Sequence, residues 1–177
     1  MNYTNILNNS PELFEQFWNI MVESFPETER KSREDYYSQL YNASFAINLF
    51  FNEDNDVKGF MAWWKLKQHR FVEHFAVSSK FRNQGLGNII FKEFLNESTL
   101  PVVLEVEPPV DEMAIRRVGF YERMGFKLHP FKYFQPPYHK EHSPLSLKVM
   151  TNTPEFTQEQ FIKLKDEIYE VVYGIDK

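Results

Sequence analysis

The stretch from residue 44 to residue 107 constrains the fold most, because its hydrophobic periodicity changes from strand to helix and back. Three runs rich in aromatic and β-branched residues follow one another: SFAINLFF, VKGFMAWWKL and RFVEHFAV. The first two flank the polar turn NEDND, as the strands of a β-hairpin would. Apolar residues then recur at helical spacing from Gln84 to Asn96, and LPVVLEVE is a further strand that the following prolines end. This order predicts a mixed α/β fold.

Helices are predicted on both sides of this stretch. Ser10 and Pro11 form a helix start for residues 11–24, and Ser32 begins a second helix that ends near Tyr41. Residues 112–124 are predicted as a helix, and FKLHPFKYF and SPLSLKVM as strands. A last helix carries an apolar stripe of Phe161, Leu164, Ile168, Val171 and Ile175. With no repeat or linker, residues 1–177 are predicted to form a single domain.

The composition excludes several classes of function. With no cysteine, the chain has no disulfide framework, thiol nucleophile or thiolate metal site. His139 and His142 lie three residues apart but lack an obvious third ligand, so no metal site is predicted. A net charge of -5 with mixed signs argues against nucleic acid or an anionic membrane as a partner. The beginning MNYTNILNNS does not read as a signal peptide, and no apolar run is long enough to span a bilayer, so a cytoplasmic protein is predicted.

Two of the six glycines, Gly85 and Gly87, lie where the third strand passes into a helix. The free N–H groups of a first helical turn and the helix dipole attract an anion, and glycine has no Cβ to hold a phosphate away. Neither a Walker loop nor a dinucleotide motif is present, since no Gly-Lys-Ser/Thr occurs and Ile90 replaces the third glycine. On these glycines alone, a phosphate site and a purely structural turn remain alternatives.

The pattern Arg82-x-x-Gly85-x-Gly87 after HFAV resembles the pyrophosphate loop of the GNAT superfamily, the acyl-CoA-dependent N-acyltransferases. FYERMGF is similar to the second hallmark of that family, a helix that carries a tyrosine and closes on Gly-Phe, and VVLEVEPP stands where the family has its fifth strand. The similarity covers residues 45 to 150 approximately. It implies a mostly antiparallel sheet with splayed central strands, flanked by helices, with acetyl-CoA as co-substrate and no metal.

The resemblance also implies roles for individual residues. The run RFVEHFAV corresponds to the fourth strand of the family. The pantetheine arm would pair with its backbone at Phe75, Ala76 and Val77. The phosphates would lie on a loop formed by Arg82, Asn83, Gln84, Gly85, Leu86, Gly87 and Asn88. Tyr121 matches the family tyrosine that protonates the departing thiolate. Ala114 and Arg117 stand where the family commonly has Asn and Ala, so the contact of that asparagine is not carried over, and Arg117 is expected to pair with a glutamate or to contact the coenzyme.

Three glutamates are candidates for the chemistry of the acceptor amine. Strand alternation in VVLEVE places Glu105 and Glu107 on the same face. The resemblance places Glu73 near the end of the fourth strand, where the family has a glutamate that takes the proton of the amine through water. Glu73 and Glu105 are assigned as catalytic candidates. The alternative is that these glutamates are solvated strand positions or salt-bridge partners of Arg116 and Arg117.

Aromatic residues complete the predicted acceptor site. Trp63 and Trp64 send their rings to opposite faces of a strand, so one of them belongs to the core and the other can line a cleft. Trp64 and Tyr138 are assigned, together with Glu107, to acceptor binding. Cation–π attraction and nearby carboxylates favour a small cationic amine or a peptide amino terminus as the acceptor.

The predicted function is N-acetyl transfer, in which a primary amine attacks acetyl-CoA directly. Tyr121 would act as the general acid, and a strand glutamate, acting through water, as the base. Two alternatives remain, a non-catalytic acyl-CoA-binding module of the same fold and an unrelated interaction domain whose glycines are only structural. The apolar stripe of the last helix suits packing within the chain, and it leaves a homodimer as a further alternative.

Overall fold

The computed structural model of this chain describes residues 3–5, 10–153 and 155–175. The helices are α1 (Pro11–Ser24), α2 (Arg33–Gln39), α3 (Leu86–Asn96), α4 (Glu112–Glu122) and α5 (Gln158–Val171). The strands are β1 (Tyr3–Asn5), β2 (Phe45–Phe51), β3 (Val57–Lys65), β4 (Arg70–Val77), β5 (Val102–Val106), β6 (Lys127–Leu128), β7 (Tyr133–Gln135) and β8 (Leu145–Thr151). Helical turns of the 3-10 type lie at Glu27–Glu29 and Ser79–Phe81.

The residue contacts divide the chain into two compact units. The first unit takes its residues from 1–64 and 72–99, and the second from 65–71 and 100–177. The chain therefore leaves the first unit at the end of β3 and returns to it in β4. A single domain over residues 1–177 stays a prediction.

The first unit is built on the antiparallel strands β1 to β4, which pair in chain order. Phe45 of β2 lies opposite Trp64 of β3, and the two rings pack with their centroids 4.8 Å apart. Phe17 of α1 meets Phe60 of β3 edge to face at 4.8 Å, and both side chains are fully buried. Aromatic rings from α1, β2 and β3 thus pack together in the core of this unit.

The second unit is built around β8, which pairs antiparallel with three strands. Its residues 148–151 pair with β5, its residues 150–151 with β6, and its residues 145–147 with β7. Helix α5 begins with a capping box between Thr157 and Gln160. Its Phe161 stacks on Phe131 with a centroid distance of 4.7 Å, which fixes the helix over this part of the sheet.

The predicted fold class, a mixed α/β fold with mostly antiparallel strands and flanking helices, is confirmed. Helix α1 and strand β4 have the predicted bounds, and Ser10 and Ser32 cap their helices as expected. Among the described residues, no helix is both long and apolar enough to cross a membrane.

Several predicted boundaries were wrong. Helix α3 begins at Leu86 rather than Gln84, because Gly85 adopts the left-handed φ of 72° and caps the helix. FKLHPFKYF forms two short strands instead of one, since Pro130 has no N–H to donate to a ladder. Helix α5 ends at Val171, so Ile175 lies beyond the helix whose stripe it was predicted to extend. Strand β1 was not predicted.

Gly59 marks the closest approach of β3 to β4. A Cβ at this position would lie 2.6 Å from the carbonyl oxygen of Ala76 and 3.2 Å from Cα of Val77, both of which belong to the backbone. We expect Gly59→Ala to lower the free energy of unfolding by about 1–3 kcal/mol, because the strands must separate to admit the methyl group. Urea denaturation measures this change.

Gly119→Ala is the matched control for this prediction. Gly119 lies within α4, and a Cβ there would meet only the Nη1 atom of Arg123 at 3.4 Å. Alanine in a helix interior is expected to stabilise by about 0.5–1 kcal/mol relative to glycine. Equal unfolding free energies for the two variants would contradict the close approach at Gly59.

Candidate functional site

The loop between β4 and α3 turns through two left-handed residues. Asn83 has a φ of 62°, and Gly85, the N-cap of α3, has a φ of 72°. Residues 82–85 of the loop are exposed, whereas Leu86 is buried and anchors the start of the helix. The first helical hydrogen bond runs from the N–H of Asn88 to the carbonyl of Gly85 at 3.1 Å. The N–H groups of Leu86 and Gly87 precede it, so they are placed to bind an anion.

Arg82 holds this loop against β4 and the end of α1. Its Nε donates to the carbonyl of Val77 at 2.9 Å, and its Nη2 donates to Oγ of Ser24 at 3.1 Å. The carboxylate of Glu23 lies 3.8 Å from the same Nη2 and accepts the N–H of Ser79 at 3.0 Å. Hydrogen bonding from Ser79 lowers the pKa of Glu23. The loop is therefore braced from both sides by groups of the first unit.

Strand β4 exposes main-chain surface next to this loop. Phe75 and Val77 are half-buried and alternate with the buried Ala76. Glu73 is half-buried as a residue although its side chain is only 1% exposed, so its exposed surface belongs to the main chain. The ring of Phe75 packs edge-on against Phe91 of α3 at 5.4 Å. The main chain of β4 is thus partly exposed at Glu73, two residues before Phe75 in the stretch predicted to pair with a pantetheine arm.

The carboxylate of Glu73 lies in a buried polar network. Nζ of Lys31 lies 3.0 Å from its Oε1, and Nε1 of Trp64 donates to its Oε2 at 2.7 Å. Burial alone would raise the pKa of Glu73, but the ammonium of Lys31 and the indole N–H of Trp64 outweigh it and lower the pKa. Glu73 is therefore ionised at neutral pH. Trp64, whose ring the ammonium of Lys31 faces at 5.2 Å, belongs to the core, while Trp63 is half-buried.

His74 extends this network to α2. Its Nε2 lies 2.8 Å from the carbonyl oxygen of Glu29, which can only accept, so Nε2 carries the proton. Its Nδ1 then accepts the hydroxyl of Tyr36 at 2.8 Å. Burial lowers the pKa of His74, with Glu73 offsetting part of the effect, and burial followed by the charge of Glu73 raises the pKa of Tyr36. A neutral histidine and a protonated tyrosine thus join α2 to β4.

Tyr121 lies on the buried side of α4. It is 9% exposed, and its ring packs against Phe120 at 5.1 Å and Phe126 at 5.9 Å. Its carbonyl accepts the N–H of Phe126 at 3.1 Å, which closes the turn after the helix. Burial raises the pKa of Tyr121 to about 12, although Arg117 offsets part of that effect. The phenol therefore stays protonated at neutral pH and can serve as a donor.

Glu105 of β5 and Glu107, which follows the end of β5, have different partners. The carboxylate of Glu105 accepts the hydroxyl of Tyr133 and also that of Tyr173, whose oxygen lies 2.9 Å from Oε2 and 3.1 Å from Oε1. Glu107 forms a half-exposed ion pair with Arg117, which confirms one of the two alternatives predicted for that arginine. Burial, and then the charge of Glu105, raise the pKa of Tyr133, so this phenol also stays protonated.

The segment after β7 contains the remaining predicted residues. Tyr138 is half-buried, its hydroxyl accepts Nε2 of Gln135 at 3.2 Å, and its ring lies 5.6 Å from that of Tyr173. The rings of His139 and His142 meet edge to face at 5.4 Å. In the part of the chain that the structure describes, no three side chains are grouped as a metal site would require.

The structure therefore gathers the predicted residues into two groups, one in each unit. The loop and β4 belong to the first unit, and Tyr121, Glu105, Glu107 and Tyr138 belong to the second. Sequence analysis missed Lys31 and Tyr173, which contact the predicted glutamates. Lys31 precedes α2 in a segment without periodicity, and Tyr173 lies just past the end of α5, so no local pattern singles out either residue.

Comparisons with known proteins show which family this chain matches. The model of the acetyltransferase (GNAT) family matches residues 13–126. A GNAT-family protein from Bacteroides thetaiotaomicron has a similar structure, with a TM-score of 0.92, 30% identity, and coverage of 99% of this chain and 100% of that one. No curated protein matches the sequence of this chain.

More distant solved structures share the fold. The ribosomal-protein-S18-alanine N-acetyltransferase from Escherichia coli gives a TM-score of 0.63 at 15% identity, covering 89% of this chain and 96% of that one. An aminoglycoside 6'-N-acetyltransferase complexed with coenzyme A gives 0.62 at 14% identity, covering 89% of this chain and 100% of that one.

Removing Lys31 is expected to destabilise the protein through Glu73. Lys31→Met leaves a buried carboxylate without its ion pair, which costs about 3–5 kcal/mol of unfolding free energy in comparable cases. In the folded state the pKa of Glu73 is below its usual 4.5. The ion pair therefore contributes its full stabilisation above pH 4.5, and this stabilisation is lost as the pH falls through the folded-state pKa. Denaturation measured from pH 7 to pH 3 should show a smaller acid loss in the variant.

Two further variants control this experiment. Lys163→Met breaks the exposed pair with Glu159, where little change is expected because water screens both charges. The double variant Lys31→Met/Glu73→Gln should recover most of the lost stability, since no charge is then left buried. A Lys31→Met protein as stable as the Lys163→Met protein would contradict the inferred role of the network.

Proposed function

Since this chain belongs to the acetyltransferase (GNAT) family, we propose that it is an N-acetyltransferase that transfers the acetyl group of acetyl-CoA to a primary amine. The observation that carries the proposal is the exposed loop before α3. Gly85 turns the chain there, and the N–H groups of Leu86 and Gly87 lie ahead of the first helical hydrogen bond. Such a loop can bind the pyrophosphate of the coenzyme through its backbone.

The coenzyme is assigned to the loop and to β4. Residues 82–88 hold the phosphates, and the backbone of residues 75–77, next to the exposed main chain of Glu73, pairs with the pantetheine arm. Arg82 is bonded to Val77 and Ser24, so it fixes the shape of the loop in addition to adding positive charge. The coenzyme A complex of an aminoglycoside acetyltransferase with this fold supports the assignment.

In the reaction, the amine nitrogen attacks the thioester carbonyl carbon and the C–S bond breaks, and over the whole cycle the amine nitrogen loses one proton and the thiolate gains one. Tyr121 is the proposed donor to the departing sulfur, because its phenol stays protonated. With the pKa of Tyr121 at about 12 and that of a thiol near 8.5, full proton transfer is unfavourable by roughly 10³-fold. Tyr121 therefore stabilises the leaving group mainly as a hydrogen-bond donor, and the thiolate gains its proton as the product leaves.

Glu73 is the proposed acceptor of the amine proton, through water. Its lowered pKa makes it a weak base, so the amine is expected to lose its proton largely before the reaction. The pH profile of kcat/KM should then rise with the pKa of the amine. Glu105, the other candidate base, accepts two phenol hydroxyls, and this arrangement supports a binding role better than a proton-accepting one.

The proposed acceptor is a cationic amine or a peptide amino terminus. Glu107 is paired with Arg117, and Glu112 with Arg116. These two ion pairs make the local negative potential weaker than the number of carboxylates in the sequence suggests. Glu105 and the tyrosines beside it carry this preference instead. A spermidine N-acetyltransferase chimera and an aminoglycoside acetyltransferase share the fold, which supports a cationic acceptor. A cytoplasmic location and a homodimer stay predictions.

Gly87→Val tests the coenzyme site. A branched side chain in the first turn of α3 should obstruct the phosphate and lower the affinity for coenzyme A by about tenfold or more, as measured by calorimetry. Asn96→Val, which adds the same side chain at the exposed far end of α3, should bind normally. Absence of coenzyme A binding by the wild type would refute the proposal, and binding without transfer to any amine would favour a non-catalytic module.

Tyr121→Phe tests the chemistry, with thiol release from acetyl-CoA measured over a panel of amines. The variant should lower kcat by ~10²-fold or more with unchanged coenzyme A affinity, because only the donor hydroxyl is lost. Tyr41→Phe, at a position that is 74% exposed, is the matched control and should keep the wild-type rate. An unchanged kcat in Tyr121→Phe would show that Tyr121 contributes to packing and not to the chemical step.

A further inference from the structure

The segment from residue 23 to residue 31 leads from the end of α1 toward α2 and follows β4. Nζ of Lys31 lies 3.0 Å from Oε1 of Glu73, in the middle of that strand. The ring of Phe25 packs edge-on against that of the next strand residue, His74, at 4.5 Å. The first two residues of the segment bond to groups that follow the end of β4, in the loop assigned to the phosphates of the coenzyme.

Glu23 and Ser24, the last two residues of α1, hold the first half of this loop. One carboxylate oxygen of Glu23 accepts the backbone N–H of Ser79 at 3.0 Å and lies 3.8 Å from Nη2 of Arg82. Oγ of Ser24 accepts the same Nη2 at 3.1 Å. Hydrogen bonding from Ser79 lowers the pKa of Glu23, so this carboxylate is ionised at neutral pH. Two adjacent residues of one helix thus fix two points of the loop.

The second half of the loop has a backbone conformation that needs support. Asn83 and Gly85 both have a left-handed φ, at 62° and 72°, and residues 82–85 are exposed. Burial of side chains therefore does not hold these turns in place. Arg82 directly precedes Asn83, so the bond of its guanidinium to Ser24 fixes the point at which the left-handed turns begin.

The charge of Glu23 does not by itself favour a phosphate nearby. A carboxylate at the C-terminal end of a helix adds to the negative end of the helix dipole, and both repel an anion. Glu23 can therefore assist the binding of a phosphate only through the groups that it holds, which are the N–H of Ser79 and the guanidinium of Arg82.

We propose that Glu23 and Ser24 are positioning residues for the coenzyme, which act through Ser79 and Arg82 without contacting the coenzyme themselves. By holding the loop, they shift the loss of its conformational entropy from the binding step to the folding of the protein. The coenzyme then meets backbone donors that are already in place. This inference rests on the proposed function only in requiring that the chain binds coenzyme A, and it does not require acetyl transfer.

Ser24→Ala tests the inference by calorimetry with coenzyme A. The Kd should rise by about threefold to tenfold, the range expected for one net hydrogen bond. Ser24→Thr retains the hydroxyl and should keep most of the affinity. Ser38→Ala is the matched control, since it removes an exposed hydroxyl that donates to the carbonyl of Asp35 within α2. A thermal melt of each variant verifies its fold, and an unchanged Kd in Ser24→Ala would overturn the inference.

Glu23→Ala separates positioning from a simple effect of charge. If Glu23 acted only through its field, removing the carboxylate would strengthen the binding of an anionic coenzyme. The positioning role predicts the opposite sign, a Kd for coenzyme A that is about threefold higher or more. Glu12→Ala removes the same charge from an exposed site in the first turn of the same helix and should not weaken binding. Tighter binding by Glu23→Ala would contradict its assignment.

A double-mutant cycle tests whether Ser24 acts through Arg82. Arg82→Lys keeps the positive charge but lacks the planar fork that bonds both Val77 and Ser24, so it should weaken binding by itself. Adding Ser24→Ala to Arg82→Lys should then cost no further affinity. An equal loss in both backgrounds would overturn the inference, because Ser24 would then act independently of Arg82.

Steady-state kinetics and hydrogen exchange give readouts that distinguish positioning from a general loss of structure. Ser24→Ala should raise the KM for acetyl-CoA by the same factor as the Kd, while kcat and the KM for the amine stay unchanged. Without ligand, the backbone amides of residues 82–88 should exchange faster in Ser24→Ala than in the wild type. Unchanged exchange in these residues would contradict the positioning role.

The outcomes separate this inference from the proposed function. A wild type that binds coenzyme A and acetylates amines, with an affinity that Ser24→Ala leaves unchanged, would retain the function and refute the positioning role. A wild type that binds coenzyme A, loses affinity in Ser24→Ala and acetylates no amine would retain the positioning role and refute acetyl transfer. A wild type that does not bind coenzyme A would refute both.

Discussion

The buried carboxylate of Glu73 is the constraint on which the first unit depends. A charge whose side chain is only 1% exposed requires partners, and they come from separate segments: Lys31 ahead of α2 and Trp64 of β3. The adjacent His74 bonds Tyr36 of α2 and the carbonyl of Glu29. Moving any one of these segments away would leave a buried charge or a buried polar group without its partner, so the network holds β4 at a fixed position relative to α2 and β3.

The residues predicted to bind the coenzyme lie at the end of that fixed strand and in the loop that comes next in the chain. Gly59 lets β3 approach the backbone of Ala76 closely, and Arg82 ties the following loop to Val77 at the end of β4 and to Ser24 of α1. The left-handed Gly85 then directs the chain into α3. Because strand, loop and helix start are each held by bonds within the unit, the backbone donors are positioned before any ligand arrives. Such preorganisation reduces the entropy lost on binding.

Local signals made part of this predictable from the sequence. The apolar period and the Ser10–Pro11 start gave the bounds of α1, and an uninterrupted run of strand-forming residues gave those of β4. Pro130 and the conformation of Gly85 shifted other boundaries by a few residues. The partners of Glu105 and of Arg82 were not predictable from the sequence. Tyr173 lies 68 residues from Glu105, and Ser24 lies 58 residues from Arg82. Contacts over such distances depend on how helices pack on strands, which no local period encodes.

Glu105 of β5 and Glu107 just after it show why a strand pattern alone cannot assign a carboxylate its role. Glu105 and Glu107 share a face and are both half-buried, and the sequence treats them alike. Arg117 supplies a positive charge to Glu107 and so cancels most of its field. Tyr133 and Tyr173 instead donate their hydroxyl protons to the carboxylate of Glu105. Two carboxylates that the strand pattern treats alike thus differ in the chemistry of their partners, a guanidinium for Glu107 and phenol hydroxyls for Glu105, and only the tertiary structure supplies that difference.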